Sequence, residues 1–238
     1  MKPAAYKDHE SLSRAAARWM AAELSRKPSS LFCLATGSTP MRSYEILAQQ
    51  GANKVRLFKG MRVLKLDEWG GLNMADPASC EIYLRKALID PLALGRRYVG
   101  FRSDAKDLSS EVKRVGSWLN RNGPIDVCVL GLGVNGHLAF NEPAAFLQPG
   151  AHVAKLAEAS LKHSMLHHSQ GHPSCGLTLG IADLLQSRKI LLLVSGASKV
   201  LPLRRLLTPQ ISSDFPASFL WLHSDVTLMC DEAAVGIG

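Results

Sequence analysis

In the stretch Leu130-Gly131-Leu132-Gly133-Val134-Asn135-Gly136-His137-Leu138-Ala139-Phe140-Asn141-Glu142-Pro143, an imidazole and a carboxylate lie five residues apart and three glycines fall within six residues. Glycines at this density serve unusual backbone angles or a close backbone approach. A lone histidine is more often structural than catalytic. Here Gly, Asn, His and Glu concentrate in one loop, which favours catalysis and makes His137, Glu142 and Asn135 the leading candidates. Glu68, Gly133 and Gly136 are weaker candidates for lying against a sugar-sized ligand.

A second segment, Lys65-Leu66-Asp67-Glu68-Trp69, carries two adjacent carboxylates. At a strand end they face different directions, so one of them can enter a pocket while the other does not. A carboxylate beside a bound carbonyl compound can carry a proton between adjacent carbons, the basic step of aldose–ketose isomerisation. Taken alone, Asp67 and Glu68 read more simply as a capping or surface pair. Thr36-Gly37-Ser38-Thr39-Pro40 has the composition of a turn opening a helix, where backbone N–H groups cradle a phosphate and Ser38 and Thr39 add hydroxyl donors. A helix N-cap by Thr39 explains the same residues about equally well. The segment is not a GxxxxGK[ST] loop, and no GxGxxG follows the first buried strand. Ser195-Gly196-Ala197-Ser198-Lys199 repeats the strand–turn–helix pattern, with Lys199 placed to give a point charge to a phosphate. Gly100-Phe101-Arg102-Ser103 and Lys162-His163 with His167-His168 are weaker anion candidates. The histidines lack a supporting Cys or Asp, so no metal is expected.

These segments need a scaffold. Residues 8–26 carry Leu12, Ala16, Trp19 and Met20 on one helical face, and Pro28-Ser29-Ser30 ends the helix. Leu31–Ala35, Met61–Leu66, Ile125–Leu130 and Lys189–Val194 are short apolar runs, as expected of strands buried on both faces. Helices are expected from Pro40 to about Gly51 and near 78–90, 104–121, 159–168, 181–185 and 197–207. Residues 67–76 and 131–143 read as loops, a short strand falls near 151–156, and Phe219–Leu222 and Val226–Cys230 read as final strands. This alternation predicts an α/β fold: a single-domain, Rossmann-like, mostly parallel sheet over residues 1–238 with helices on both faces. In such sheets ligands bind beyond the carboxyl ends of the strands, where the Gly-rich segments fall.

Composition sets outer limits. The chain has 238 residues, 47% of them hydrophobic and 20% charged, an ordinary globular balance that can bury a core without staples. No apolar run is long enough to span a bilayer, and the N-terminus lacks a signal-peptide stretch, so a cytoplasmic protein is expected. The five widely spaced cysteines and the absence of CxxC argue against disulfides or zinc. A net charge of +8 suits anionic substrates such as phosphate esters. The basic residues are scattered rather than striped, so neither nucleic acid nor a membrane is an expected partner.

Together the segments resemble the glucosamine-6-phosphate deaminase family, grouped with 6-phosphogluconolactonase. The match runs in order over nearly the whole chain through LATGSTP, KLDEWGGL, VLGLGVNGHLAFNEP, TLGIADLL and LLLVSGASK. Lactonases tend to read GHTASLFP where this chain has GHLAFNEP. FRSDA, DVCVLGLGVNGHLAFNEPA and PASFLWLHS look most like the galactosamine-6-phosphate isomerase (deaminase) branch. The resemblance implies a reaction without a cofactor or metal, on a small-molecule sugar phosphate, and is compatible with a homo-oligomer. It implies that Asp67 moves a proton between C2 and C1, that His137 opens the pyranose ring with help from Glu142, and that Thr36-Gly37-Ser38-Thr39 and Lys199 hold the 6-phosphate.

Two departures stand out. Glucosamine-type enzymes usually carry Asp where this chain has Asn135, which can hydrogen-bond an imidazole but cannot offer it a full charge. An aspartate at 135 is therefore expected to raise turnover on glucosamine 6-phosphate. The family's phosphate-binding arginine near 160–168 is also missing, with Lys162 or a neighbouring histidine as substitutes. Besides galactosamine 6-phosphate, the sequence leaves open glucosamine 6-phosphate, a lactonase activity and a non-catalytic sugar-phosphate sensor.

Overall fold

Alternate residues of the buried strands point to opposite faces, and each face is covered. The computed structural model describes residues 1–53, 55–161 and 164–237. Leu31, Cys33, Leu64, Cys128, Leu130 and Leu192 belong to one cluster, closed by Val112, Val115 and Leu119 of the helix Leu108–Asn122 and by Leu203 and Leu206 of the helix Val200–Leu207. Their neighbours Phe32, Leu34, Val63, Val129, Leu191 and Leu193 belong to the other, closed by Leu12, Ala16 and Met20 of α1 (His9–Arg26) and by Tyr44 and Leu47 of α2 (Ser38–Asn53). A period of two with both faces apolar is what a central strand between helix layers requires.

Among the described residues, ten strands form two sheets: β1 (Pro3–Tyr6), β2 (Leu31–Leu34), β3 (Arg62–Lys65), β4 (Asp67–Gly70), β5 (Tyr98–Val99), β6 (Val127–Gly131), β7 (His152–Ala154), β8 (Cys175–Thr178), β9 (Lys189–Val194) and β10 (Val226–Asp231). Seven are parallel, in the order β1-β10-β9-β6-β2-β3-β5. The chain grows one way from β2 through β3 to β5, then the other way from β6 through β9 to β10. The order therefore reverses between β2 and β6, where a crevice opens beyond the strand ends. The other three strands form a small antiparallel sheet, β4-β8-β7.

The α/β class and its mostly parallel sheet with helices on both faces are as the sequence implied. Several elements differ. Residues 67–70 are not loop: buried throughout, they pair with β8, with Asp67 opposite Thr178. Phe219–Leu222 is not a strand but part of a 3₁₀ helix, Pro216–Leu222. Pro216 offers no ladder donor, and buried Ala217 and Leu220 recur at three residues, a helical spacing. α2 runs past Gly51 to Asn53, since one interior glycine costs a helix only about 1 kcal/mol. Leu108–Asn122 starts later than expected because Asp107 caps it through the N–H groups of Ser109 and Ser110. The helix expected near 159–168 is a turn at Glu158–Leu161 and a 3₁₀ segment at Ser164–His168, and Lys162 and His163 lie outside the described residues.

Candidate active site

The crevice between β2 and β6 is a cavity of about 410 Å³. Thr36, Gly37, Ser38 and Thr39 line it after β2, Asp67 at the start of β4, Gly131 at the end of β6, Gly133 and His137 beyond it, and Ser195, Ser198 and Lys199 after β9. Residues up to 163 apart in sequence, from Thr36 to Lys199, thus meet at one site because parallel strands deliver their carboxyl ends to one edge.

The first wall is anchored from behind. The Tyr44 hydroxyl, fully buried on α2, donates to the Ala35 carbonyl at 2.9 Å, fixing the helix start against the end of β2. α2 opens at Ser38, so Thr39 lies inside the first turn rather than capping it. Opposite, Lys199 is half-buried and, among the described residues, forms no ion pair; desolvation pushes its ammonium below the ordinary lysine range. An uncompensated cation beside the free N–H groups of a helix start is chemistry for binding an anion.

The second wall is the β6 loop. The Gly133 N–H donates to the His137 carbonyl at 3.1 Å, closing a tight turn. A Cβ at Gly133 would come within 2.5 Å of the imidazole, so only glycine lets the ring lie over that backbone. His137 Nδ1 is 3.3 Å from Glu142 Oε2. Asn135 Nδ2 donates to that same oxygen at 2.9 Å, and Asn135 Oδ1 accepts the His137 N–H at 3.2 Å. The Ser160 hydroxyl donates to Glu142 Oε1. Burial alone would raise the Glu142 carboxyl, but His137, Ser160 and Asn135 outweigh it and hold it at about 2. Glu142 and Asn135 do not line the cavity themselves; they sit behind His137 and orient it.

The third group is Asp67. Only 8% exposed, it receives no hydrogen bond to its carboxylate from any described side chain. Desolvation and the nearby Glu68 carboxylate raise it to about 7, against the opposing pull of Lys65. The site therefore holds one carboxylate that stays ionised and one poised near neutrality, as acid–base chemistry demands.

Two of the weaker candidates lie elsewhere. Glu68 faces away from the cavity: wholly buried, it pairs with Lys65 at 2.6 Å and accepts the N–H groups of Trp69, Cys80 and Glu81. Gly136 is behind the loop against Phe215, its carbonyl accepting the Ala217 N–H at 2.8 Å. Arg102 lines a separate cavity with Arg85 and Arg114, while His167 and His168 are exposed. Sequence reasoning missed Ser160, Cys80 and Met165 in the cavity lining. A serine, a cysteine and a methionine in ordinary helical segments carry no signal of their own. Among the described residues no three His, Cys, Asp or Glu side chains converge as metal ligands.

Residues 7–229 match the family described as glucosamine-6-phosphate isomerases/6-phosphogluconolactonase. This chain belongs to that family. Among its relatives is a protein of Escherichia coli (strain K12) provisionally named a deaminase, AgaI, 38% identical over 92% of this chain and 87% of its own length. Glucosamine-6-phosphate deaminase 1 of Bacillus subtilis (strain 168) is 35% identical over 100% of this chain and 99% of its own. A solved monomeric glucosamine-6-phosphate deaminase, described as a missing link of the NagB superfamily, superposes with a TM-score of 0.94 at 36% identity, covering 100% of both chains. The 6-phosphogluconolactonase of Trypanosoma brucei shares the fold, at a TM-score of 0.80 and 21% identity. Within the family fold, Asp67 and His137 of this chain, the latter backed by Glu142, line one cavity.

Proposed function

We propose that residues 1–238 form one enzymatic domain that isomerises and deaminates a hexosamine 6-phosphate, converting galactosamine 6-phosphate to tagatose 6-phosphate and ammonia in the cytoplasm. The observation that carries this reading is the single cavity shared by Asp67, His137, Lys199 and the Thr36–Thr39 turn. In this reading the 6-phosphate sits between the N–H groups of Gly37, Ser38 and Thr39 and the Lys199 ammonium. The sugar then extends toward His137, with Gly133 beneath the imidazole. The imidazole takes the anomeric hydroxyl proton and returns one to the ring oxygen, which opens the pyranose. Glu142 stabilises the imidazolium, and Asn135 and Ser160 orient Glu142. Asp67, ionised, removes the C2 proton of the open amino aldose and returns one to C1. The resulting ketimine takes water at C2 and expels ammonia, leaving the 2-keto sugar. No cofactor enters the scheme. Net hydrolysis of a C–N bond follows from the balance of atoms.

A second reading is glucosamine 6-phosphate as substrate, giving fructose 6-phosphate. It is favoured by the whole-length likeness to glucosamine-6-phosphate deaminases at 35% and 36% identity. Asn135 and the motifs shared with the galactosamine branch favour the first. Ammonia release from the two sugar phosphates, assayed side by side with 6-phosphogluconolactone hydrolysis as a control, separates them. Faster release from galactosamine 6-phosphate is expected. Tight binding of either amino sugar, with ammonia released from neither, would replace the enzyme with a sensor, and lactone hydrolysis alone would replace it with a lactonase.

A further inference from the structure

A charged chain with no direct place in the chemistry runs behind Asp67. Lys65 is wholly buried, its Nζ 2.6 Å from Glu68 Oε2 and 2.8 Å from Glu81 Oε2. Glu81 also accepts from the Tyr98 hydroxyl at 2.5 Å and from Arg85 Nε at 2.7 Å, where the chain reaches the surface. Glu68 directs both oxygens into this network, accepting three backbone N–H groups from Trp69 and from the start of the helix Cys80–Leu84. Buried ion pairs are a poor means of adding stability, since apolar side chains of equal volume often do as well. Their retention one residue from a catalytic carboxylate calls for another reason.

Strand geometry supplies one. Asp67 and Glu68 are successive residues of β4, so one faces the cavity and the other the Lys65 network, with the peptide backbone between them. The distance is short and the medium is dry, so their charges are felt strongly. The other titratable groups around Asp67 are Cys80 on the helix Cys80–Leu84, Cys33 on β2, Tyr44 on α2, and His137 and Lys199 across the cavity. Burial holds the two cysteines and the tyrosine neutral by raising their proton affinity. The charges behind Asp67 are therefore those of Glu68 and Lys65.

We infer that Glu68 and Lys65 are positioning residues that set the proton affinity of Asp67, with Glu81 dividing Lys65 between two carboxylates so that its charge does not hold Asp67 permanently ionised. This rests on the reading of Asp67 as the proton-transfer base. Glu68→Gln removes the like charge and frees Lys65 toward Asp67. Lys65→Met removes the opposing charge. The first is expected to move the midpoint of the pH–rate profile down by about one unit, and the second to move it up. Glu68→Asp, which keeps the charge, is expected to stay near the wild-type midpoint. Lower turnover at every pH with an unmoved midpoint in both charge variants would make the network structural only and overturn the inference.

A direct titration of Asp67 by carbon NMR, with aspartate labelled at Cγ and the resonance assigned by its loss in Asp67→Asn, reads the same quantity without turnover. If no hexosamine phosphate is deaminated but Asp67 still shifts with the two variants, the proposed reaction fails and the coupling stands. If turnover is normal and Asp67 in the wild-type protein titrates in the ordinary aspartate range, the coupling fails and the reaction stands. Burial also raises Asp67, so a raised wild-type value alone does not establish the coupling; its displacement in Glu68→Gln or in Lys65→Met does.

Discussion

Asp67 combines a functional demand with a structural cost, and both depend on its charge. Its folded-state value of about 7 lies above the ordinary 3.8, so the folded protein holds a proton there that the unfolded chain has released. The sign follows: below about pH 4 the carboxyl is neutral in both states, and between about 4 and 7 stability falls as pH rises. Above 7 the full penalty is present, on the order of a few kcal/mol. Asp67→Asn is expected to raise the unfolding midpoint by about 5 °C at pH 8 and to leave it nearly unchanged at pH 4, measured calorimetrically. The same variant should lose solvent-hydrogen exchange at C2 while phosphate binding persists. In the wild-type protein the rate should rise with pH through about 7 as Asp67 ionises. Asn135 changes meaning in the structure, because its Nδ2 is a donor to Glu142. Asn135→Asp replaces that donor with a like charge. Any gain in turnover on glucosamine 6-phosphate is then expected to come with a loss of about 1–3 kcal/mol in unfolding free energy at pH 7, and the loss should shrink near pH 3 as the introduced carboxyl takes up a proton.

At the scale of elements, the loop after β6 holds the imidazole because its backbone is locked at several points. Gly136 adopts φ of +87°, and a Cβ there would meet the Phe215 ring at 2.1 Å. Phe215 leads into the 3₁₀ helix Pro216–Leu222, whose Ala217 N–H binds the Gly136 carbonyl. Gly136→Ala therefore strains one backbone position and pushes apart two packed elements. It should cost about 2–4 kcal/mol in denaturant unfolding and reduce kcat more than KM, since His137 moves while the Thr36–Thr39 turn does not. Asn141 reinforces the loop from the other side by donating to the Leu138 and Leu179 carbonyls, each at 2.9 Å. Its place in the GHLAFNEP segment is thus explained by architecture, whereas the neighbouring Glu142 is explained by the imidazole.

For the whole molecule, under the proposed reading, the net charge of +8 and Lys199, which forms no ion pair among the described residues, make attraction of a phosphorylated sugar a long-range effect. Raising ionic strength from about 0.01 M to 0.15 M shortens the screening length from about 30 Å to about 8 Å. The expected outcome is a severalfold fall in kcat/KM with kcat nearly constant; a change in kcat alone would mean that salt acts on the chemistry rather than on encounter. No helix among the described residues is long and apolar enough to cross a membrane.

Much of this was written along the chain. Runs such as Leu31–Leu34 and Lys189–Val194 are apolar on both faces and can be satisfied only between two helix layers. The glycine-rich segments following them mark one edge of the sheet and local pattern singles out His137, whereas the expected roles of Thr36, Asp67 and Lys199 come from the resemblance of the segments taken together. Local pattern could not assign β4 or β8, short strands without alternation whose pairing partners lie more than 100 residues apart. Nor could it tell Asp67 from Glu68: only the packing of β4 against the helix Cys80–Leu84 turns one carboxylate toward the cavity and commits the other to Lys65. Residue type and order fix which groups are available and where the backbone must bend. Burial, proximity of charge and the direction of each side chain arise only when distant segments pack, and those quantities give Asp67 and Glu142 their opposite proton affinities.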